Sequence, residues 1–310
     1  MTAVSSPFTI TIPDGLVRNS LGDLAGDVDV VEWDMKGPSP RRHVDIVIPP
    51  YLQSWEGLAN LDGLDVGLVQ CLTLGYDGVA EFLPKNMVFA NAASVHEPST
   101  AEMTLALILA SQRYIPDFVR AAEAGRWAPS WHPSLADRTV LLIGYGGVGR
   151  AIESRLLPFE ASVVRLAHHE RDDERGHIYG IDALHDLLPF ADIVVVAVLL
   201  DESTHHLVDA EFLSLMPDGS LFVNIARGGV ADTDALLAEA RSGRIRLALD
   251  VTDPEPLPDG HPLFALDNVL ISPHVAGMTS AAIPRIQRLL HEQVDRLRRG
   301  DEPLNVVLRT

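Results

Sequence analysis

Cysteine is nearly missing from this chain: Cys71 is the single one in 310 residues. One thiol cannot crosslink its own chain, so an internal disulfide framework is excluded. Its apolar neighbours Leu68, Val69 and Leu72 read as a buried strand, not as the setting of a nucleophile. Long apolar runs are also missing. The longest, Leu105–Ala110 and Ile193–Leu200, fall far short of the roughly 20 residues a membrane helix needs. The opening MTAVSSPFTITIPDG has no basic start followed by an apolar stretch, so no signal peptide is expected and the reading is of a cytoplasmic protein without a membrane partner. Basic residues are few: 24 Lys and Arg face 43 Asp and Glu, for a net charge of −19. Such a surface disfavours nucleic acid, and any anionic substrate must be met by a few locally placed cations. No metal is expected.

What is present is ordinary globular material, 47% hydrophobic and 22% charged, in a length that suits two domains. The first third carries short apolar segments, Phe8–Ile12, Val28–Trp33, Val44–Ile48, Val66–Leu72 and Met87–Ala90, which read as strands. Pro13-Asp14-Gly15, Gly37-Pro38 and Pro49-Pro50 punctuate them. After Pro98 the spacing predicts a long helix with Ser99 as N-cap and Glu102 completing a capping box, broken or kinked at Pro116 and ended by Gly125. This helix is apolar on more than one face, which suits burial between domains or subunits. A second run of strands follows at Val140–Ile143, Ser162–Leu166, Ile193–Leu200, Leu221–Ile225, Arg246–Val251 and Val269–Ile271. Helices are expected at Arg150–Leu157, Thr233–Ser242 and Ile286–Arg299, and a last short strand at Leu304–Leu308. Strands alternating with helix-length spacers imply parallel sheets.

The strongest local signal is the segment TVLLIGYGGVGRAIESRL. A buried strand runs into Gly144-Tyr145-Gly146-Gly147-Val148-Gly149, and a helix follows. Gly144 permits a tight turn, Gly146 lets the backbone approach a pyrophosphate, and Gly149 lets helix and strand pack closely. The helix N-terminus then offers N–H groups to phosphates. About 20 residues further on, a site for NAD places Asp or Glu at a strand end to hold the ribose hydroxyls. This chain has Ala167 there, followed by His168, His169, Glu170 and Arg171. A missing carboxylate with nearby cations points toward NADP through His168, His169 and Arg171, while a one-residue shift presenting Glu170 keeps NAD open. Beyond Asp172 the charges read as a solvated run.

Three charged residues follow strands of the second half: Arg227, Glu255 and His274. Ligands of open α/β sheets bind at the carboxyl ends of strands. Hydride addition to a carbonyl leaves charge on oxygen, so a proton donor must stand beside it, and a histidine suits that task near neutral pH. A carboxylate partner, Glu255, would favour the imidazolium. An arginine can clamp a substrate carboxylate and polarise the carbonyl.

These motifs, GYGGVG at 144–149, Asn224-Ile225-Ala226-Arg227-Gly228-Gly229, Leu249-Asp250-Val251 with Glu255-Pro256, and Ser272-Pro273-His274-Val275-Ala276-Gly277-Met278-Thr279, resemble the D-isomer-specific 2-hydroxyacid dehydrogenases over nearly the whole chain. The resemblance implies an NAD(P)-dependent oxidoreductase that moves a hydride between the dinucleotide and a small 2-oxo acid/D-2-hydroxy acid pair. In it Arg227 binds the substrate carboxylate and carbonyl, and His274 is the acid/base with Glu255 as partner. It implies an α/β fold of two doubly wound, Rossmann-like and flavodoxin-like parallel-sheet domains with a cleft between them. Residues 1–98 plus 283–310 would bind substrate, and 99–282 would bind the dinucleotide. Asp250 would hold the nicotinamide carboxamide. Ala197, Val198, Leu199 and Thr204 would lie along the cofactor, as would Ile225, Ala226 and Gly277. The stretch Thr73-Leu74-Gly75-Tyr76-Asp77 resembles the loop whose N–H groups bind the substrate carboxylate, so Leu74 and Gly75 are substrate candidates, with Tyr51 and Leu52 for the side-chain pocket. Glu102 matches the acidic residue at the start of the family's long helix, with a structural role, and the family is usually homodimeric. Pro49-Pro50-Tyr51 stands where phosphoglycerate enzymes carry an arginine, and Glu255 where formate enzymes carry glutamine, so glyoxylate, hydroxypyruvate or a larger 2-oxo acid fits better. The rival reading is a catalytically silent, dinucleotide-sensing module of the same fold.

Overall fold

Six parallel strands with uniformly apolar interiors require cover on both faces, and the helices between them supply it. The computed structural model describes residues 7–51 and 54–310. The chain divides into two compact units, Met1–His96 with Ser280–Thr310, and Glu97–Thr279.

The first unit begins with β1 (Thr9–Ile12), α1 (Gly15–Leu21, N-capped by Asp14), β2 (Asp29–Glu32), β3 (His43–Val47), β4 (Asp65–Gln70), α2 (Val79–Phe82) and β5 (Val88–Ala90). The second unit runs through α3 (Glu97–Gln112), α4 (Ile115–Glu123), β6 (Thr139–Ile143), α5 (Gly147–Leu156), β7 (Ser162–Leu166), β8 (Arg171–Asp173), β9 (Gly176–Ile178), α6 (Leu184–Leu187), β10 (Ile193–Val196), α7 (Ala210–Leu215), β11 (Leu221–Asn224), α8 (Thr233–Ser242), β12 (Arg246–Leu249) and β13 (Val269–Ile271). The chain then returns to the first unit with α9 (Ala282–Arg299) and β14 (Val306–Arg309).

In the first unit the sheet order is β14-β5-β4-β3-β1-β2, parallel except for β14 on β5. In the second it is β13-β12-β11-β10-β6-β7, parallel throughout. Strand β10, Ile193-Val194-Val195-Val196, is buried along its whole length between β6 and β11. Its two faces feed two apolar cores, one with Phe212 and Phe222 and the other with Ile152, Leu156 and α3. Among the described residues no helix is long and apolar enough to cross a membrane.

Several element readings need correction. Helix α3 starts at Glu97, not after Ser99, because Pro98 takes a first-turn position where its missing N–H costs nothing. Ser99 lies inside the helix, its hydroxyl 2.7 Å from Thr279 Oγ1. The break after α3 falls at Tyr114, whose φ of 51° is left-handed, and Pro116 sits in the first turn of α4 instead of ending a helix. Strand β10 stops at Val196, where its neighbours β6 and β11 also stop, so 197–200 is a loop. Helix α9 begins four residues before Ile286. Strand β14 begins two residues after Leu304, whose N–H and carbonyl are both held by the buried Gln293 amide (2.9 and 3.0 Å). The hairpin β8–β9 replaces the solvated run expected beyond Asp172.

Candidate active site

The glycine turn connects β6 to α5. Gly144 has φ 100°, and a Cβ there would lie 2.4 Å from the Ala197 carbonyl oxygen, so the loop after β10 crosses directly over it. A Cβ on Gly149 would meet the Gly144 carbonyl at 2.4 Å, which ties the helix to the turn. Gly146 is the opposite case: a Cβ there meets nothing within 4 Å. No side chain caps α5. The helix thus presents Gly147, Val148 and Gly149 at an open N-terminus, the arrangement a pyrophosphate needs. Glu97 lies beside Gly147, its Oε1 3.1 Å from where a Cβ would stand, and is buried. It is Glu97, not the exposed Glu102, that meets the turn.

At the ribose edge, Ala167 is buried just past the end of β7, while the rings of His168 and His169 meet edge to face, ring centroids 4.4 Å apart. The carboxylates that could have served the ribose are engaged elsewhere. His177 takes Glu170 at 3.4 Å and Asp172 at 3.1 Å, and Asp173 accepts from the Arg175 N–H at 2.8 Å. Arg171 turns back instead. Its Nη2 donates to the Tyr145 carbonyl at 3.0 Å and its Nη1 to the His169 carbonyl at 3.3 Å. Tyr145 is itself buried, and its phenol donates to Glu153, a fully buried carboxylate on α5 that also accepts from Arg165 Nε (2.5 Å) and Arg175 Nη1 (2.7 Å). Burial pushes the Glu153 carboxyl up, but the bonds from Tyr145, Arg175 and Arg165 outweigh it and hold it below the usual carboxylate range. The signal for Glu153 was in the sequence: it shares the core-facing stripe Gly149, Ile152, Glu153, Leu156, where an acid needs a partner.

The three charged tips follow adjacent strands. Register pairs Asn224 with Leu249 and Leu249 with Ile271, so β11, β12 and β13 end level with one another. Arg227, Glu255 and His274 stand just beyond those ends. His274 Nδ1 and Glu255 Oε1 are 2.5 Å apart, and both side chains keep partial solvent access. The histidine has φ 52°, a conformation that costs a non-glycine residue of order 1–3 kcal/mol and persists where surroundings impose it. Here they do. The His274 N–H donates to the Asp250 carbonyl (2.7 Å), and the buried Asp250 carboxylate accepts from Ser272 Oγ (2.5 Å), Val275 N–H (3.2 Å) and Ala276 N–H (3.1 Å). Asp250 therefore spans the loop on both sides of the histidine.

Arg227 is half-buried. Its carbonyl accepts from Asn224 Nδ2 at 2.9 Å and its Nη1 donates to the Ala226 carbonyl at 2.8 Å. The next residue, Gly228, packs so closely on the loop bearing Glu255 that a Cβ would fall 1.9 Å from the Thr252 carbonyl oxygen. The other residues expected along a cofactor are also at strand ends. Ile225 and Ala226 are buried, Ala197, Val198 and Gly277 are half-buried, and Leu199 is exposed with its carbonyl held by Thr204 Oγ1 at 2.6 Å.

In the first unit, the loop after β4 is fixed from below. Thr73 Oγ1 donates to the Gly75 carbonyl (2.8 Å) and Asn91 Nδ2 to the Leu74 carbonyl (2.9 Å). No acceptor among the described residues meets the N–H groups of Leu74, Gly75 and Tyr76. Tyr51 packs against that unit's core, and burial raises its phenol, with Cys71 nearby. Leu52 lies outside the described residues.

Residues 105–276 match the family model for the NAD-binding domain of D-isomer specific 2-hydroxyacid dehydrogenases. A glyoxylate reductase of Thermofilum pendens is 32% identical over 247 residues, 76% of this chain and 73% of that protein. The human glyoxylate reductase/hydroxypyruvate reductase is 29% identical, covering 82% and 83%. Among solved structures, a D-isomer specific 2-hydroxyacid dehydrogenase of Xanthobacter autotrophicus in complex with NADPH and MES superposes with a TM-score of 0.84 at 29% identity, over 98% of each chain. An NADPH-dependent glyoxylate/hydroxypyruvate reductase of Sinorhizobium meliloti, in complex with NADP and malonate, gives 0.81 at 25% identity over 97% of each.

Proposed function

Because the chain belongs to the D-isomer specific 2-hydroxyacid dehydrogenases, and is thereby an NAD(P)-dependent oxidoreductase, we propose that it reduces a small 2-oxo acid such as glyoxylate or hydroxypyruvate, prefers NADPH, and works as a homodimer. The observation that carries the reading is the His274–Glu255 pair at 2.5 Å, set at the end of a strand two places from the one that leads to Arg227.

When bound on the 144–149 turn, the dinucleotide supplies the hydride. The chain's own residues do the rest. With Nδ1 donating to Glu255, His274 has Nε2 left for substrate, and from there it gives a proton to the carbonyl oxygen during reduction or takes one from the hydroxyl in reverse. Glu255 fixes the ring and balances its charge. Arg227 binds the carboxylate and draws charge onto the carbonyl oxygen. In a chain with net charge −19 a local cation offsets the repulsion an anion meets. The N–H groups of Leu74, Gly75 and Tyr76, which meet no acceptor among the described residues, suit a carboxylate as well.

The preference for NADPH rests on Ala167 at the strand end, on the diversion of Glu170 and Asp172 to His177, and on Arg171 at the turn. The homodimer rests on an apolar surface in the second unit. Helix α4 exposes Ile115, Phe118 and Val119, and the following loop leaves Trp127 and Trp131 at 96% and 101% exposure. His132 stacks on Tyr114 at 4.1 Å and holds that loop to the helix. A patch of this kind needs covering, and a second copy offers the matching surface.

A panel of 2-oxo acids with NADPH and NADH, followed through nicotinamide absorbance, tests the reading. Turnover of a small 2-oxo acid with NADPH preferred is the expected result. Tight nucleotide binding without turnover of any acid would instead favour the silent sensing module.

A further inference from the structure

The buried cluster around Glu153 lies outside the reaction just described, yet it joins every element at the ribose edge. Its carboxylate, on α5, receives the phenol of Tyr145 from the glycine turn, Arg165 from β7 and Arg175 from the β8–β9 hairpin. Asp173 adds a second, longer contact to Arg165 at 3.7 Å. A fully buried carboxylate is costly unless several donors meet it, and three do. Tyr145 is thus held at both ends: its hydroxyl by Glu153, its carbonyl by Arg171.

Arg171 stands at the other end of this clamp. It opens the hairpin whose far end Glu153 pins through Arg175. Among the described residues it has no carboxylate within 4 Å; its hydrogen bonds go to two backbone carbonyls. Carbonyls orient a guanidinium without neutralising it, and three of its five N–H donors remain for a dianion.

We propose that Glu153 is a positioning residue for cofactor selectivity: by clamping Tyr145 and Arg175 it locks the hairpin to the glycine turn and so holds Arg171 where the 2′-phosphate of NADP is read. This rests on the NADPH reading above and adds its structural cause. Positioning and bare charge predict opposite signs. Removing the Glu153 charge leaves the locality more positive, which alone would tighten NADPH; loss of the clamp loosens it.

The test is calorimetric binding of NADPH, NADH and 2′,5′-ADP to wild type, Arg171→Ala, Glu153→Gln and Arg175→Met, with Tm measured alongside. Wild type should favour NADPH over NADH, and Arg171→Ala should lose about tenfold or more in NADPH and 2′,5′-ADP affinity. Glu153→Gln and Arg175→Met should each lower the NADPH-to-NADH affinity ratio about three- to tenfold, with NADH binding within twofold of wild type. Should Glu153→Gln fail to fold, Arg175→Met carries the test in high salt, where the loss of one partly exposed cation is screened and a lowered ratio reports the clamp; its loss leaves Glu153 paired with Arg165. If both variants keep the wild-type ratio, or weaken both cofactors equally, while Arg171→Ala still loses it, the positioning role is overturned and the NADPH reading stands. If wild type shows no preference for the 2′-phosphate, both fall.

Discussion

His274 illustrates how a single residue is held against its own preference. Left to itself a histidine leaves φ 52°, and the bonds from Ser272, Val275 and Ala276 to one aspartate keep it there. The side chain then needs only Glu255 to fix its ring. Replacement of His274 by alanine should lower kcat by about 10²-fold or more, the ordinary weight of a general acid, with folding intact by circular dichroism. Arg227→Ala should raise KM for the oxo acid and depress kcat together, because the lost contact serves both ground and transition states. Another histidine, at the start of β3, has its pKa displaced by its neighbours. His43 bonds to Asp65 at 2.8 Å and also meets Asp45, and these carboxylates raise its pKa, the Asp65 bond first. Its proton-linked stabilisation is present below the ordinary value of about 6.5 and fades as pH rises through the higher folded value. Half-exposed as it is, the contribution is small. Its NMR titration midpoint should lie above that of an unpaired histidine.

At the scale of elements, the strands and the three charged tips were legible because parallel β-strands are short apolar runs and a charged residue just past such a run stands out. GYGGVG, Arg227, Glu255 and His274 could be placed without coordinates for that reason. What escaped were features set by neighbours. The end of β10 is decided by where β6 and β11 stop, so an apolar run to Leu200 misled. The start of α3 is decided by Pro98, so the capping-box pattern at Ser99 misled. The run beyond Asp172 looked like solvated charge because its acids and bases pair with each other and with Glu153, which a list of charges does not reveal. Gly228 shows the same dependence on context. Its need for a bare backbone comes from Thr252, 24 positions away, and nothing local announces it. Gly228→Ala should therefore cost about 1–3 kcal/mol, in the range of overpacked sites, and reduce turnover as well, since the Arg227 and Glu255 loops touch there. Denaturant unfolding and initial rates measured on the same preparation check both.

For the whole molecule, acid and association set the working range. Glu153 is held below the ordinary carboxylate value of about 4.3, so the stability it contributes is full above that value and is lost as pH falls through its lowered one. Glu153→Gln should flatten the acid limb of a Tm-against-pH curve and leave the neutral plateau lower. Sedimentation at micromolar concentration should show a two-chain species that shifts toward one chain when Trp127 and Trp131 are both replaced by serine.

Those two indoles also make the molecule report on itself. Trp33 is buried at 6% exposure, whereas Trp127 and Trp131 stand in water. The long-wavelength flank of the emission will be dominated by the wet pair, ahead of the half-buried Trp55. A blue shift with rising concentration then reads out their desolvation directly, with no label attached and no substrate present.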